Sequence, residues 1–195
     1  MVQIPADEMQ VIGDVRGLRV LELGNKQNRT GLYRDWYLAQ GATEYVSVDW
    51  NGKDGAIEHD MRKELDLGLE PFDVVTNLGF TEHVTEQEGA WRNIHNAVMP
   101  GGVVCCCLPF PFKGYERATP NWERHGYWQP TLEWMRGLAQ ANNYLVEILR
   151  VWDQRVRPTL VSRWYKAEDT QFVWVDGLHR TRLPFSKKDL EKKYD

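Results

Sequence analysis

The sequence predicts an α/β domain with a doubly wound, mainly parallel sheet, helices on both faces, and an antiparallel pair of strands at its C-terminal edge. Strand-like apolar runs alternate with helix-like segments from residue 18 to residue 152, which is typical of β-α-β crossovers. The later stretches "TLVSRWYKA" and "TQFVWVDG" alternate apolar and polar residues with short connections, which favours antiparallel edge strands. A length of 195 residues fits a single domain spanning residues 1–195.

The first elements are a leading helix, a strand and a second helix. In "ADEMQVIGDVRG" the apolar residues recur at helical spacing, which predicts a leading helix within residues 1–17 that ends at Gly17. The run "LRVLEL" is too short for a helix and suits a strand buried on both faces. The segment "TGLYRDWYLAQG" has helical spacing, with Gly41 at its C-terminal end.

The same alternation continues downstream. "EYVSVDW", "PFDVVTNLG", "VVCCCLPF" and "YLVEILRVW" are predicted strands, while "TEQEGAWRNIHNAVMPGG" and "TLEWMRGLAQANN" are predicted helices. The three cysteines are consecutive on a strand, so we interpret them as small core residues rather than as a disulfide framework or a metal knuckle. Residues 186–195, "SKKDLEKKYD", are interpreted as a solvated charged tail.

Composition narrows the possible partners and location. A net charge of −4 and a pI near 5.8 do not favour binding to a polyanion. No apolar stretch approaches the roughly 20 residues of a membrane span, and no leader-like segment is seen. We therefore expect a cytoplasmic protein without membrane contact, and the sequence leaves its oligomeric state open.

Polar and glycine residues follow the predicted parallel strands at the points where the strands end. Because ligands collect outside the carboxyl ends of the central strands of such sheets, these residues are expected to form one rim. The rim comprises Glu22, Gly24, Asn25, Asp49, Trp50, residues 77–80 and the chain from Pro109 onward.

The motifs at this rim resemble those of class I S-adenosylmethionine-dependent methyltransferases of the small-molecule type, over most of residues 15–165. "VLELGN" matches the first motif, "VSVDWNG" the second, and "IEHDMRKE" a further acidic position. "FDVVTNLGFTEHV" followed by "NIHNAVMPGGVVCCCLPF" resembles the family's fourth and fifth strands. The resemblance implies a Rossmann-like, seven-stranded sheet and S-adenosylmethionine as the cofactor.

The resemblance also implies which residues bind the cofactor. Asp49 accepts hydrogen bonds from the ribose hydroxyls, Trp50 covers one face of the adenine, and Asp60 or the Met61 amide contacts the adenine edge. The full implied set is Glu22, Gly24, Asn25, Lys26, Asp49, Trp50, Asp60, Met61, Asn77, Leu78 and Glu82.

The glycine-rich loop departs from the family pattern. Its second and third glycine positions hold Lys26 and Asn28. Three interpretations stay open: Lys26 pairs with the carboxylate of the cofactor, the loop is wider than in the family, or the site no longer binds. In the last case the chain would be a non-catalytic binding or scaffold module.

Methyl transfer from a sulfonium depends mainly on in-line positioning, with a base needed for an unactivated acceptor. His83 is the first candidate base and His125 the second, and His83 alternatively caps the helix that follows it. His95 shares a helical face with apolar residues, which favours a core position. No metal site is expected, because no ligand-type residues have ligand spacing.

Residues 109–130 are predicted to form an aromatic lid over the substrate, the alternative being simple packing. The stretch is proline-broken and follows a strand end, where substrate lids of open α/β sheets are found. Its aromatic residues are Phe110, Phe112, Tyr115, Trp122, Tyr127 and Trp128.

The sequence therefore predicts a methyltransferase (EC 2.1.1.-) for a small or medium acceptor. A minority alternative is an RNA or DNA methyltransferase that uses Lys113, Arg117, Arg124 and the tail 187–193. Against it, "NLGF" at 77–80 lacks the two prolines of the motif that grips nucleobase amines in those enzymes.

Overall fold

The computed structural model describes residues 2–110, 125–152 and 158–177. Four α-helices are present in these ranges: α1 (Ala6–Ile12), α2 (Tyr33–Ala39), α3 (Gln87–Ala97) and α4 (Leu132–Ala141). Short 3-10 turns lie at Lys53–Gly55 and Thr81–His83. The strands are β1 (Arg19–Leu23), β2 (Gln27–Asn28), β3 (Gly31–Leu32), β4 (Glu44–Asp49), β5 (Ile57–Glu58), β6 (Phe72–Leu78), β7 (Val98–Pro109), β8 (Tyr144–Trp152) and β9 (Thr159–Lys166).

Seven strands form one sheet in the order β5-β4-β1-β6-β7-β9-β8. The first five are parallel, and β9 pairs antiparallel with both β7 and β8. From β1 the chain proceeds outward to β4 and β5 and then returns to β6 on the other side of β1. This reversal beside β1 is where an open α/β sheet forms its ligand crevice. The predicted Rossmann-like, doubly wound fold is confirmed.

Both faces of the sheet are buried under helices. Successive residues of a strand point to opposite faces, so Val20 and Val74 pack with α1 and α2, while Leu21 and Val75 pack with α3 and α4. The three cysteines follow the same alternation, with Cys106 on the α3/α4 face and its neighbours on the other. All three thiols are buried and free, as expected for core residues.

The last described segment corrects one prediction. "TQFVWVDG" (170–177) was expected to be an edge strand, but it carries no strand pairing in the structure. Side chains of the helices bind its backbone instead: His95 Nε2 lies 2.7 Å from Thr170 O, and Trp134 Nε1 donates to Val175 O. The alternating apolar residues of this segment therefore cover helices α3 and α4 rather than extending the sheet.

The leading helix is shorter than predicted. It ends at Ile12 rather than Gly17, because Gly13 adopts a positive φ of +72° that breaks the helical backbone. The Arg163 guanidinium on β9 donates to Val11 O at 2.8 Å and to Ile12 O, so the last carbonyls of the helix are satisfied.

His95 is buried, as the helical spacing predicts. Its Nδ1 lies 3.0 Å from Tyr144 Oη, and burial lowers the pKa of the imidazole. None of the helices within the described ranges is both long enough and apolar enough to cross a bilayer.

Candidate functional site

A cavity of about 300 Å³ opens at the carboxyl ends of β1, β4 and β6. We call it the first cavity. Seven of the eleven residues expected to bind cofactor line it, namely Gly24, Lys26, Asp49, Trp50, Asp60, Met61 and Leu78. The parallel register explains this convergence, because Leu23 pairs with both Val48 and Asn77 and so aligns the three strand ends.

Gly24 is required where β1 leaves the sheet. Its φ is +93°, and a Cβ placed there would lie 2.6 Å from Phe80 Cδ2. Its N–H donates to Val48 O at 2.8 Å, which ties the loop to β4. Both the left-handed backbone and the close approach exclude a larger residue.

Asp49 and Trp50 lie at the end of β4. Asp49 is half-buried, and loss of hydration raises the pKa of its carboxyl above the usual value. Trp50 is exposed at 44% beside it. The backbone N–H of His59 donates to Asp49 O at 3.0 Å, which brings His59 to the cavity wall.

Asp60 and Met61 form the far side of the cavity. The Asp60 carboxylate accepts hydrogen bonds from the Arg62 guanidinium, with Nη2 at 2.7 Å, and this contact lowers the pKa of Asp60. Met61 is 2% exposed and packs into the α3/α4 core. Gly79 and Phe80, which the sequence places on the rim without a cofactor-binding role, also line the cavity.

Glu22 lies beneath the cavity rather than in its wall. It is fully buried, and its Oε2 accepts hydrogen bonds from Tyr45 Oη at 2.5 Å and from Lys26 N at 3.0 Å. Burial raises the pKa of this carboxyl to about 7. Glu22 therefore supports the loop from below.

The loop after Gly24 is a short β ribbon, since β2 and β3 pair antiparallel. Asn28 binds Gln3 O and Thr30 N through its side chain, so it shapes the turn of the ribbon. Lys26 Nζ lies 2.5 Å from Glu8 Oε1 on α1. Asn25 holds the loop to Lys53 O and does not line the cavity.

A second cavity of about 350 Å³ adjoins the first. Four residues line both cavities: Lys26, Leu78, Gly79 and His83. The additional residues of the second cavity come from distant parts of the chain and include Asp7, Glu8, Glu82, Cys107, His125 and Thr159. Its charged lining is mainly acidic.

The turn Thr81–His83 is held from below by buried amides. Asn77 Nδ2 donates to Thr81 Oγ1 at 2.8 Å, and Thr81 N donates to Asn77 Oδ1 at 3.1 Å. Gln87 Nε2 donates to the carbonyls of Thr81 and Val84. Asn77, expected to flank the cofactor, is fully buried and lines neither cavity; it positions this turn instead.

Residues 125–128 pack against this turn. Tyr127 N donates to Glu82 O at 2.6 Å, and Trp128 Nε1 donates to Thr85 O at 3.2 Å. The contact places the His125 ring 4.9 Å from the His83 ring, measured between centroids. The structure thus brings together the two candidate bases, which lie 42 residues apart in sequence.

The described aromatic residues of the predicted lid line neither cavity, although Pro109 and His125 of the same stretch line the second. Phe110 packs against the α3/α4 core, Tyr127 is buried, and Trp128 is half-buried near Trp91 and Trp134. Phe112, Tyr115 and Trp122 lie outside the described residues, as do Lys113, Arg117, Arg124 and the tail 186–195. For those residues the lid and the nucleic-acid surface stay predictions.

Comparison with known proteins agrees with this geometry. Residues 30–106 match the family model described as "Methyltransferase domain". No curated protein matches the sequence.

Three solved structures share the fold. An S-adenosylmethionine-dependent methyltransferase from Mesorhizobium loti superposes with a TM-score of 0.61 at 15% identity, over 82% of this chain and 97% of that one. The Burkholderia thailandensis 1,6-didemethyltoxoflavin-N1-methyltransferase was solved with 1,6-didemethyltoxoflavin and S-adenosylhomocysteine. It superposes with a TM-score of 0.62 at 18% identity, over 84% of this chain and 79% of that one. The [4+2]-cyclase SpnF superposes with a TM-score of 0.57 at 10% identity, over 79% of this chain and 77% of that one.

The strand order, the cavity at the switch point beside β1 and the family match agree with one another. Together they show the fold of the S-adenosylmethionine-dependent methyltransferases, with residues 30–106 matching the methyltransferase family model.

Proposed function

We propose that the chain transfers a methyl group from S-adenosylmethionine, bound in the first cavity, to a small or medium acceptor bound in the second cavity. One observation carries this proposal: two cavities of about 300 and 350 Å³ share a wall at Leu78, Gly79 and His83. Volumes of this size are typical of small-molecule sites. A two-substrate transfer requires two adjoining compartments that are open to one another.

The residues of the first cavity suit a nucleoside. Asp49 accepts a backbone hydrogen bond from Asn51 at 3.3 Å and retains acceptor capacity for ribose hydroxyls. Trp50 provides an exposed indole beside it for stacking against adenine. Gly24 leaves room for backbone approach. Lys26, at the junction of the cavities, is placed to pair with a carboxylate, in competition with Glu8.

The cofactor supplies an electrophilic methyl group on sulfur. A lone pair of the acceptor bonds to the methyl carbon while the C–S bond breaks, and its electrons leave a neutral thioether. The acceptor proton passes to a base, for which His83 is placed because it lines both cavities. Alignment of the two ligands supplies most of the acceleration.

The relatives support the cofactor and the acceptor class separately. The Burkholderia thailandensis enzyme holds S-adenosylhomocysteine and a small-molecule acceptor in the same fold. The cyclase SpnF shows that this fold also serves other chemistry. The function must therefore be assigned from the residues of the site and not from the fold.

Calorimetric titration with S-adenosylhomocysteine tests the proposal. We expect wild-type binding, weakened at least about tenfold in Asp49→Asn, because charge-assisted hydrogen bonds to the ribose are lost. Asp35→Asn, an exposed carboxylate on α2, is the matched control and is expected to bind as wild type. A folded wild-type protein that binds neither S-adenosylmethionine nor S-adenosylhomocysteine would reject the enzyme and favour the scaffold alternative.

Measurements at increasing salt concentration distinguish the proposed function from the nucleic-acid alternative. Binding to RNA or DNA weakens steeply with salt because each phosphate contact releases counterions. A small acceptor predicts methyl transfer whose KM depends little on salt.

A further inference from the structure

We propose that Glu82, His83 and His125 form a binding site for one divalent transition-metal ion, such as Zn²⁺, Mn²⁺ or Co²⁺, in the wall of the second cavity. The sequence predicts no metal site, because these residues have no ligand spacing. The fold brings them together nonetheless.

The spacing of the three side chains fits an ion. Glu82 Oε1 lies 3.8 Å from His83 Nε2 and 3.5 Å from His125 Nε2. One ligand atom from each residue lies within 4.8 Å of the other two. Two ligands about 2.1 Å from a tetrahedral ion are roughly 3.4 Å apart, close to both measured distances. Two imidazoles with one carboxylate favour transition metals over Mg²⁺ or Ca²⁺, which prefer oxygen ligands.

The Glu82 carboxylate provides an independent indication. Its side chain is 1% exposed, and neither oxygen has a hydrogen-bond partner among the described residues. A buried carboxylate without a partner is strongly unfavourable. Its Oε1 lies within 4 Å of Nε2 of both imidazoles, so a cation shared with them would satisfy it.

The three ligands are held in place by the surrounding chain. Asn77 and Gln87 fix the turn that carries Glu82 and His83. Gly126 allows His125 to reach them, because a Cβ on Gly126 would lie 2.7 Å from Glu82 Cβ and Cγ. Such positioning outside the ligand set is characteristic of metal centres.

The site is open on the side of the second cavity. The His83 and His125 side chains are 35% and 38% exposed, and three protein ligands leave coordination positions free. Together with the proposed function, this identifies the acceptor as a hydroxyl compound. With the ion bound, His83 is a ligand and no longer the base, and the ion activates the acceptor in its place. A hydroxyl bound to the ion releases its proton to water more readily, and its oxygen then bonds to the methyl carbon as the C–S bond breaks.

Titration of chelator-treated protein with Co²⁺, followed by visible absorption and calorimetry, tests the site without any cofactor. We expect one equivalent to bind to wild type, and Glu82→Gln and His125→Ala each to weaken binding at least about tenfold. His59→Ala, a histidine of the first cavity outside the cluster, is expected to bind Co²⁺ as wild type. Each variant is first compared with wild type by metal-free thermal melting.

Gly126→Ala keeps all three ligands, so it tests the geometry itself. It is expected to weaken Co²⁺ binding at least about tenfold, whereas Gly101→Ala, with a similar positive φ but open space around it, is not. Absence of stoichiometric binding to wild type, or equal binding by Glu82→Gln and wild type, overturns the site. This experiment measures Co²⁺ binding without any cofactor. A failure to bind Co²⁺ therefore does not affect the S-adenosylhomocysteine test, and a failure to bind S-adenosylhomocysteine does not affect the Co²⁺ test.

Discussion

The two cavities are assembled in opposite ways. The first is built from the ends of β1, β4 and β6, which are neighbours in the sheet, so its residues follow directly from strand order. The second combines α1, the turn Thr81–His83, the end of β7 and His125. Strand order therefore accounts for the first cavity, while contacts between distant segments shape the second, in which we propose that the acceptor binds.

Glu22→Gln is expected to have the largest effect, on the support beneath the first cavity. The folded protein retains the Glu22 proton up to about pH 7, whereas the unfolded chain releases it near 4.5, so stability falls as pH rises through this window. Above pH 7 the free energy of unfolding of the wild type is therefore about 3 kcal/mol lower than it is with Glu22 protonated. In the variant, the glutamine carbonyl oxygen takes the place of Oε2 and accepts the same two hydrogen bonds. The glutamine amide nitrogen takes the place of Oε1, which has no hydrogen-bond partner in the wild type.

Urea unfolding of Glu22→Gln at pH 5 and pH 8 measures this effect. The variant should be more stable than wild type at pH 8 and similar to it at pH 5. Glu64→Gln, an exposed glutamate, is the control. Equal pH dependence in Glu22→Gln and wild type would contradict a protonated Glu22.

Asn77→Leu is expected to affect both cavities, because the turn it holds contributes His83 to each. Thr81 N loses its acceptor in a buried setting, which costs about 2 kcal/mol in the free energy of unfolding. Binding of S-adenosylhomocysteine and of Co²⁺ should both weaken, while Asn96→Leu on the exposed side of α3 leaves both unchanged. Lower stability with both affinities intact would show that the turn is held by other contacts.

Gly24→Ala is expected to affect the first cavity alone. The added methyl group meets Phe80 at 2.6 Å and displaces its ring into the cavity, which should weaken S-adenosylhomocysteine binding about tenfold. Gly17→Ala has a similar positive φ, +76°, with nothing within 4 Å, and therefore controls for backbone strain. If both variants lose affinity equally, the close approach at Gly24 is not the cause.

Glu8→Gln is expected to have the smallest effect. Removing the partner of Lys26 leaves its ammonium available to a ligand carboxylate, which should tighten S-adenosylhomocysteine binding about threefold, as for a partly exposed ion pair. 5′-Methylthioadenosine lacks that carboxylate and should show no gain. Equal gains for both ligands would rule out a Lys26–carboxylate contact.

The sheet and the first cavity could be predicted because both depend on local pattern. Short apolar runs bounded by polar residues gave the strands, and the parallel order placed Gly24 and Asp49 at one edge. The same pattern misled at "TQFVWVDG", since alternation shows only that one side is buried and does not distinguish a sheet from a pair of helices.

The cluster in the second cavity could not be predicted because its geometry depends on a tertiary contact. Backbone hydrogen bonds from residues 127 and 128 to Glu82 O bring His125 to Glu82, across a gap in sequence with no spacing signal. The one signal in the sequence was Gly126, a glycine beside a histidine after a predicted strand. Its role can be recognised only once the structure shows that it packs against Glu82.

Gly79 lines both cavities and has no side chain to separate them. A methyl group there would lie 3.3 Å from Glu82 Oε1, at the wall that the two cavities share. If donor and acceptor meet at this wall as proposed, main chain bounds their meeting point, and main chain adjusts far less than a side-chain rotamer does. An acceptor too large for the second cavity would then be accommodated by its other walls and not at Gly79.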